Sequence, residues 1–305
     1  MDTNRGGKKN MNQVDEVIQK LKSMDLSKVS DDEVINEIRK IGKIALFRIK
    51  IPKGHLVNRS RCSDEFINWS YEKDISYIRD KAKIPDYNRG SFKGESIFYG
   101  CIPIDKDEHY CQLLSIQEVS KLFNIESETT LEEYAIMGKW RVTEDFTIGA
   151  IAHHQDFLKK NTDLKNMHDE FIEFMKKYPE RKKDFLKISE YLSYEFAKKV
   201  SDKTRCEYKI SAAFTKIMLE LGVKGVLYPS AKDEGKGFNI ALSPSAVDKY
   251  LKLEKVAVWR IKKRNKEEFI QPYLFCNSFQ SDGRFIWVDP GKNAPPWFVE
   301  RSLTK

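Results

Sequence analysis

Asn88-Arg89-Gly90-Ser91-Phe92-Lys93-Gly94-Glu95-Ser96-Ile97-Phe98-Tyr99-Gly100 is a polar loop, punctuated by glycine, that runs straight into a short apolar strand. Gly90 and Gly94 tolerate positive φ and let another group approach the backbone closely. Arg89 carries a planar fork of five N–H donors suited to phosphate or carboxylate. Tyr99, ten residues further on, offers an aromatic face and a hydroxyl at the strand end. An arginine for anionic oxygens and a tyrosine for a planar ring suit a nucleotide. The same residues also read as a β-hairpin with a surface arginine and a buried tyrosine.

Working outward, residues 96–103 form the strand that leaves this loop, and an acidic loop follows at Asp105-Lys106-Asp107-Glu108. From Tyr110 to Phe123, Leu113, Leu114, Ile116, Val119 and Leu122 fit a helix that carries Glu118. Residues 126–135 are acidic and predict a further helical turn. Strands are expected at 137–142 and near 146–151. Residues 154–204 are strongly charged and helical in composition, broken by Tyr178-Pro179 into two helices. A helix over 207–221 ends at Gly222. Val223–Tyr228 predicts a buried strand, Phe238–Leu242 another, and residues 252–263 and 266–275 two more, with a short helix started by Ser243-Pro244.

Upstream, residues 55–87 are polar and irregular and predict a long loop with short helical pieces. Residues 43–51 alternate into a strand carrying Arg48. Val14, Val17, Ile18 and Leu21 have helical spacing, and Ser30-Asp31-Asp32-Glu33 reads as a capping box opening a second helix. The expected class is therefore α+β, a mixed central sheet flanked by helices, as a single domain with an N-terminal helical extension. Its expected parts are a disordered tail at 1–12, the helical extension at 13–42, the main domain at 43–275 and an irregular tail at 276–305.

Composition narrows the classes of function. A chain of 305 residues with 40% apolar and 12% aromatic content can build a substantial core, while 33% charged residues solvate its surface. The 54 Lys and Arg against 46 Asp and Glu leave a net charge of +8. That balance favours anionic ligands, but the signs are interspersed rather than gathered into a DNA-binding stripe. Cys62, Cys101, Cys111, Cys206 and Cys276 include no CxxC pair and indicate free thiols in a reducing compartment. No histidine stands at zinc-ligand spacing from them, so no metal is expected. His153-His154 with Asp156 invites a metal or general-base reading, but neighbouring residues do not share a helix face. With no apolar run long enough to span a bilayer and no signal-peptide pattern, a cytoplasmic location is expected, with no membrane partner.

Three segments place a polar side chain at the end of an apolar element: the 88–100 loop and strand, the Glu118 helix, and the Tyr228-Pro229-Ser230 corner with Asn239. Together they resemble the RES-domain family. Arg89, Gly94 and Tyr99 resemble its Arg–Gly–Tyr signature, and Leu227-Tyr228-Pro229-Ser230 with Asn239-Ile240-Ala241-Leu242 resembles the signature that carries its serine. Gly138-Lys139-Trp140-Arg141 and Tyr208-Lys209-Ile210-Ser211 look like further segments of a larger branch.

The resemblance implies an ADP-ribosyltransferase-like fold and an enzyme that consumes NAD+ as substrate, cleaving the nicotinamide–ribose bond by hydrolysis or phosphorolysis. It implies the toxin of a toxin–antitoxin pair, with a helix-turn-helix antitoxin as partner. Carried over, Arg89 holds the pyrophosphate, Tyr99 orients the nicotinamide side, Glu118 is the carboxylate and Ser230 the serine. Arg48 is a second phosphate contact, and Tyr228 and Asn239 line the pocket. The family pattern places its glutamate nearer the tyrosine than Glu118 stands, which makes Glu108 the rival and the 105–108 loop an insertion. Such chemistry needs a carboxylate against oxocarbenium charge, but no metal, because nicotinamide is already a cationic leaving group. The alternatives are a protein ADP-ribosyltransferase and a nucleic-acid-binding or nuclease module; direct nucleic-acid binding is disfavoured by the interspersed charge.

Overall fold

The protein is described here as a computed structural model. It describes residues 13–42, 47–104, 108–125, 127–265, 267–291 and 301–303. In chain order the elements are α1 (Gln13–Ser23), α2 (Asp31–Arg39), β1 (Arg48–Ile51), β2 (Leu56–Ser63), α3 (Glu72–Ile75), β3 (Phe98–Ile102), α4 (Glu108–Val119), β4 (Leu131–Val142) and β5 (Phe146–Ala150). There follow α5 (Gln155–Leu158), α6 (Thr162–Phe174), α7 (Pro179–Ala197), α8 (Lys209–Glu220), β6 (Gly225–Pro229), β7 (Phe238–Leu242), α9 (Pro244–Tyr250), β8 (Leu251–Arg264), β9 (Glu267–Cys276) and β10 (Arg301–Leu303).

The class is α+β, as expected. One mixed sheet runs in the order β1-β5-β6-β7-β3-β2-β4-β8-β9-β10. Its β5–β6 pair is parallel and the other pairs are antiparallel. Period-two alternation sorts the central strands into two cores. Phe98, Leu227, Ile240 and Leu242 face one side with Ile136 and Trp140. Tyr99, Val226, Tyr228 and Ala241 face the other with residues of α7 and α8. On the first side the fully buried Phe98 and Trp140 rings meet edge to face at 5.0 Å. Truncating either to alanine would cost about 3–5 kcal/mol.

The N-terminal helices belong to the second core. Val14, Val17, Leu21, Val34 and Ile38 pack in one cluster with Ile188, Ile210 and Phe214. The capping box forms as read from the sequence: Glu33 N donates to Ser30 Oγ, and Ser30 N donates to Glu33 Oε2 at 2.7 Å. Lys187 pairs with Asp15 at 2.6 Å, and Tyr87 donates to Asp31 at 3.0 Å, tying α2 to the residues just before Arg89.

Two expectations are corrected. Within the supposed 55–87 loop lies β2, a central strand paired with both β3 and β4. The acidic 126–135 stretch enters β4 rather than a helix, and its glutamates find partners across space: Glu132 pairs with Arg260 at 2.7 Å, and Glu133 accepts from Ser120 Oγ. The C-terminal tail is partly integrated. Phe285 is buried in the first core, Trp287 donates to Trp69 O at 3.0 Å, and β10 pairs with β9. The expected tail at 1–12 lies outside the described residues. No described helix is long and apolar enough to cross a membrane.

Candidate active site

A row of side chains runs across the second face of the sheet. Tyr228 on β6 stands opposite Asn239 on β7, Asn239 opposite Cys101 on β3, Cys101 opposite Asn58 on β2, and Asn58 opposite Lys139 on β4. Residues directly opposite in adjacent strands share a face. Over this row lies α4. Its penultimate residue, Glu118, reaches Asn239, and its first residue, Glu108, reaches Lys139 at 2.5 Å. The lengths agree: ten helical residues advance about 15 Å, and three strand spacings cover about 14 Å.

This placement separates the two candidate carboxylates. Ser230 Oγ donates to Glu118 Oε1 at 2.5 Å, and Asn239 Nδ2 donates to the same oxygen at 2.7 Å. Among the described residues no hydrogen bond reaches Oε2, and Glu118 is half-buried. One carboxylate oxygen is thus anchored while the other remains available. Glu108 is bonded to the buried Lys139 and does not join Ser230. Residues 105–107 of the expected insertion lie outside the described residues; eleven of the positions from Tyr99 to Glu118 belong to α4.

Ser230 is fully buried immediately after β6. Its hydroxyl, while donating to Glu118, accepts from Asp233 N at 3.1 Å, and its carbonyl accepts from Gly235 N at 2.7 Å. The 230–237 turn packs tightly on α4. A Cβ on Gly237 would lie 2.4 Å from Leu114 Cδ2, so a larger residue there would have to displace the Leu114 side chain. Lys232 Nζ closes the arrangement, donating to Gln117 O at 3.1 Å and Glu118 O at 2.8 Å, carbonyls that the end of α4 leaves without helical partners.

Arg89 lies beside this group. Its guanidinium carbon is 5.0 Å from the Tyr208 ring centre and 5.8 Å from that of Tyr228, so it sits against two aromatic faces. Nη1 donates to Phe196 O and Nη2 to Lys198 O at 3.0 Å. Arg89 therefore caps the C-terminus of α7 with two of its five N–H donors.

Tyr99 has a task within the fold. Its hydroxyl accepts from Gly90 N at 3.0 Å and shares a hydrogen bond with Ser91 Oγ at 3.0 Å, so it braces the loop that carries Arg89. Burial pushes this hydroxyl up to about 12, opposed by the bonds from Ser91 and Gly90. Gly94 adopts φ +71 as anticipated. At Gly90 the demand is space instead: an added Cβ would lie 3.3 Å from Ala241 Cβ. Burial raises the Tyr228 hydroxyl well above its ordinary range, and the Arg89 charge works against that rise.

The expected residues Arg89, Tyr99, Glu118, Tyr228, Ser230 and Asn239 thus gather on one face. Arg48 does not join them. It is exposed on β1, the edge strand, with β5 between it and β6. Residues with no role assigned from sequence now enter: Cys101 donates to Asn239 Oδ1 at 3.1 Å, Lys232 caps α4, and Tyr208 backs Arg89. Tyr208 had a signal, since the sequence reading placed it in a segment resembling the RES-domain pattern; Cys101 and Lys232 had none. The His153–His154 pair is also resolved. His153 Nδ1 bonds His168 Nδ1 at 2.8 Å, whereas the His154 ring stacks on Phe157 at 3.9 Å.

No protein-family model matches this chain, and no curated protein matches it.

Proposed function

We propose that this chain is a RES-type enzyme with an ADP-ribosyltransferase-like fold that cleaves the nicotinamide–ribose bond of NAD+, and that it serves as the toxin of a toxin–antitoxin pair. The observation that carries the reading is the Glu118 carboxylate, held at Oε1 by Ser230 and Asn239, with no partner at Oε2 among the described residues, on the same face as Arg89.

In this reading the bond from ribose C1′ to the pyridinium nitrogen breaks heterolytically. The electron pair goes to nitrogen, neutral nicotinamide leaves, and positive charge develops on the ribose. Glu118 Oε2 faces that charge or holds a ribose hydroxyl. A carboxylate already fixed by two donors needs little reorganisation as the charge forms. Arg89 takes the diphosphate through its remaining N–H groups, and Tyr208 and Tyr228 keep its plane fixed. Water, giving up a proton to Glu118 Oε2 or to solvent, or phosphate then adds at C1′. Binding energy at the diphosphate, remote from the breaking bond, positions the reacting carbon. A cognate helix-turn-helix protein is the expected antitoxin.

The test is incubation of the purified chain with NAD+, with and without phosphate, followed by identification of products. Release of nicotinamide with ADP-ribose or its 1″-phosphate supports the proposal. Intact NAD+ under both conditions overturns it. Label transferred from NAD+ to a macromolecule would instead favour protein ADP-ribosylation.

A further inference from the structure

Asn239 presents its Nδ2 to Glu118, and something must decide that this amide does not turn over. A carboxamide has a donor end and an acceptor end of nearly the same shape. Turned by half a revolution, Asn239 would aim Oδ1 at Glu118 Oε1, setting two acceptors against each other. Burial makes such a mismatch expensive, and Asn239 is only 7% exposed. The backbone donors beside it are engaged in the β3–β7 ladder, where Cys101 and Asn239 are directly paired. The donor to Oδ1 is therefore a side chain, Cys101 Sγ, at 3.1 Å.

We propose that Cys101 is a positioning residue: its S–H bond to Asn239 Oδ1 fixes the amide so that Nδ2 faces Glu118 and orients the carboxylate. The chain of bonds runs from Cys101 to Asn239 to Glu118, with Ser230 meeting Glu118 at the same oxygen. The thiol suits the task because it stays protonated. Burial, followed by the neighbouring Cys111 and the Glu118 and Asp233 carboxylates, raises it well above the ordinary thiol range. An alanine here would remove Sγ and leave Oδ1 without that donor. A serine would keep an O–H on a shorter reach. The consequence for turnover rests on the function proposed above; the hydrogen bond itself does not.

Two measurements separate those claims. The infrared S–H stretching band of Cys101, isolated as the difference between the unaltered protein and Cys101→Ala, is expected at the lowered frequency of a hydrogen-bonded thiol. It should move to the free-thiol position in Asn239→Leu. A Cys101 band at the free-thiol position in the unaltered protein overturns the proposal, whatever the enzyme assay gives. In steady-state nicotinamide release, Cys101→Ala is expected to lower kcat on the order of tenfold or more, because Asn239 no longer holds its oriented bond to the charged Glu118. KM should barely move, and Cys101→Ser should recover most of kcat. Unchanged kcat in Cys101→Ala, with the unaltered chain active, also overturns it. If the unaltered chain leaves NAD+ intact, the proposed function falls, and the infrared band alone decides the role of Cys101. If Cys101→Ala fails to fold, Cys101→Ser supplies the difference spectrum and the rate.

Discussion

Glu118 and Glu108 stand at opposite ends of one helix and are bound to different strands, Glu118 to Asn239 on β7 and Glu108 to Lys139 on β4. Only the first shares its carboxylate with a serine. Glu118→Gln should reduce nicotinamide release roughly hundredfold or more, because an amide carries no charge to set against the ribose. Glu108→Gln should leave turnover near that of the unaltered chain but destabilise it by about 1–2 kcal/mol, since the buried Lys139 loses its charged partner. Parallel rate and thermal-melt measurements on the two variants check both. Equal losses of activity would return Glu108 to candidacy.

Arg89 holds the end of α7, and under the proposed function it would also hold the ligand. Arg89→Lys keeps the charge but lacks the planar fork that reaches two carbonyls and a diphosphate at once. KM for NAD+ should rise about tenfold or more, equivalent to about 1.4 kcal/mol. Arg89→Ala should raise KM further and also lower the melting temperature, because Phe196 O and Lys198 O at the end of α7 lose their donor. Michaelis constants and melting curves for the pair separate the two effects.

Tyr99 predicts an alkaline limit. An unfolded tyrosine ionises near 10, whereas burial holds the folded hydroxyl up to about 12. Its contribution is fully present below about pH 10 and is lost as pH rises toward 12, since the unfolded chain releases its proton first. Tyr99→Phe should remove that part of the alkaline loss. At neutral pH it should cost about 1 kcal/mol for the lost bonds to Gly90 and Ser91. Denaturant midpoints from pH 8 to about 12 measure both.

His153 predicts the acid limit. Burial, with His168 beside it, holds the imidazole down to about 3 against an ordinary 6.5. Here the unfolded chain binds the proton first as pH falls, so the stabilisation is present above pH 6.5 and is lost on the way down to about 3. The slope from this one site is at most about 1.4 kcal/mol per pH unit. His153→Gln should flatten urea midpoints across that window. An unchanged slope would show that other groups govern acid unfolding.

Local signals were legible where one element decides its own form. The Ser30–Glu33 box, the Tyr178-Pro179 break and the Gly222 stop each act over a few residues, and each is where its pattern places it. Strand β2 was hidden because both its faces carry polar groups. Asn58 and Ser60 lie under α4, and Arg59 and Arg61 reach carbonyls of Ile75, Ser76 and Tyr99 on the other side. Such a strand shows no apolar alternation; its neighbours in the sheet make it one. The site follows the same division. Residues at the ends of apolar elements, such as Glu118 and Ser230, were readable, but Cys101 and Lys232 act through bonds to segments more than a hundred residues away, and no spacing encodes those.

The end of α7 has a consequence for which anions Arg89 would take under the proposed function. A helix C-terminus carries roughly half a negative charge, and Arg89 is already engaged with it. An incoming anion competes with that built-in acceptor for the guanidinium. A single diffuse charge gains little by the exchange, whereas a diphosphate brings two charges and several oxygens. Under the proposed function the helix end would set a threshold on ligand valence, and salt at physiological concentration should inhibit far less than inorganic pyrophosphate.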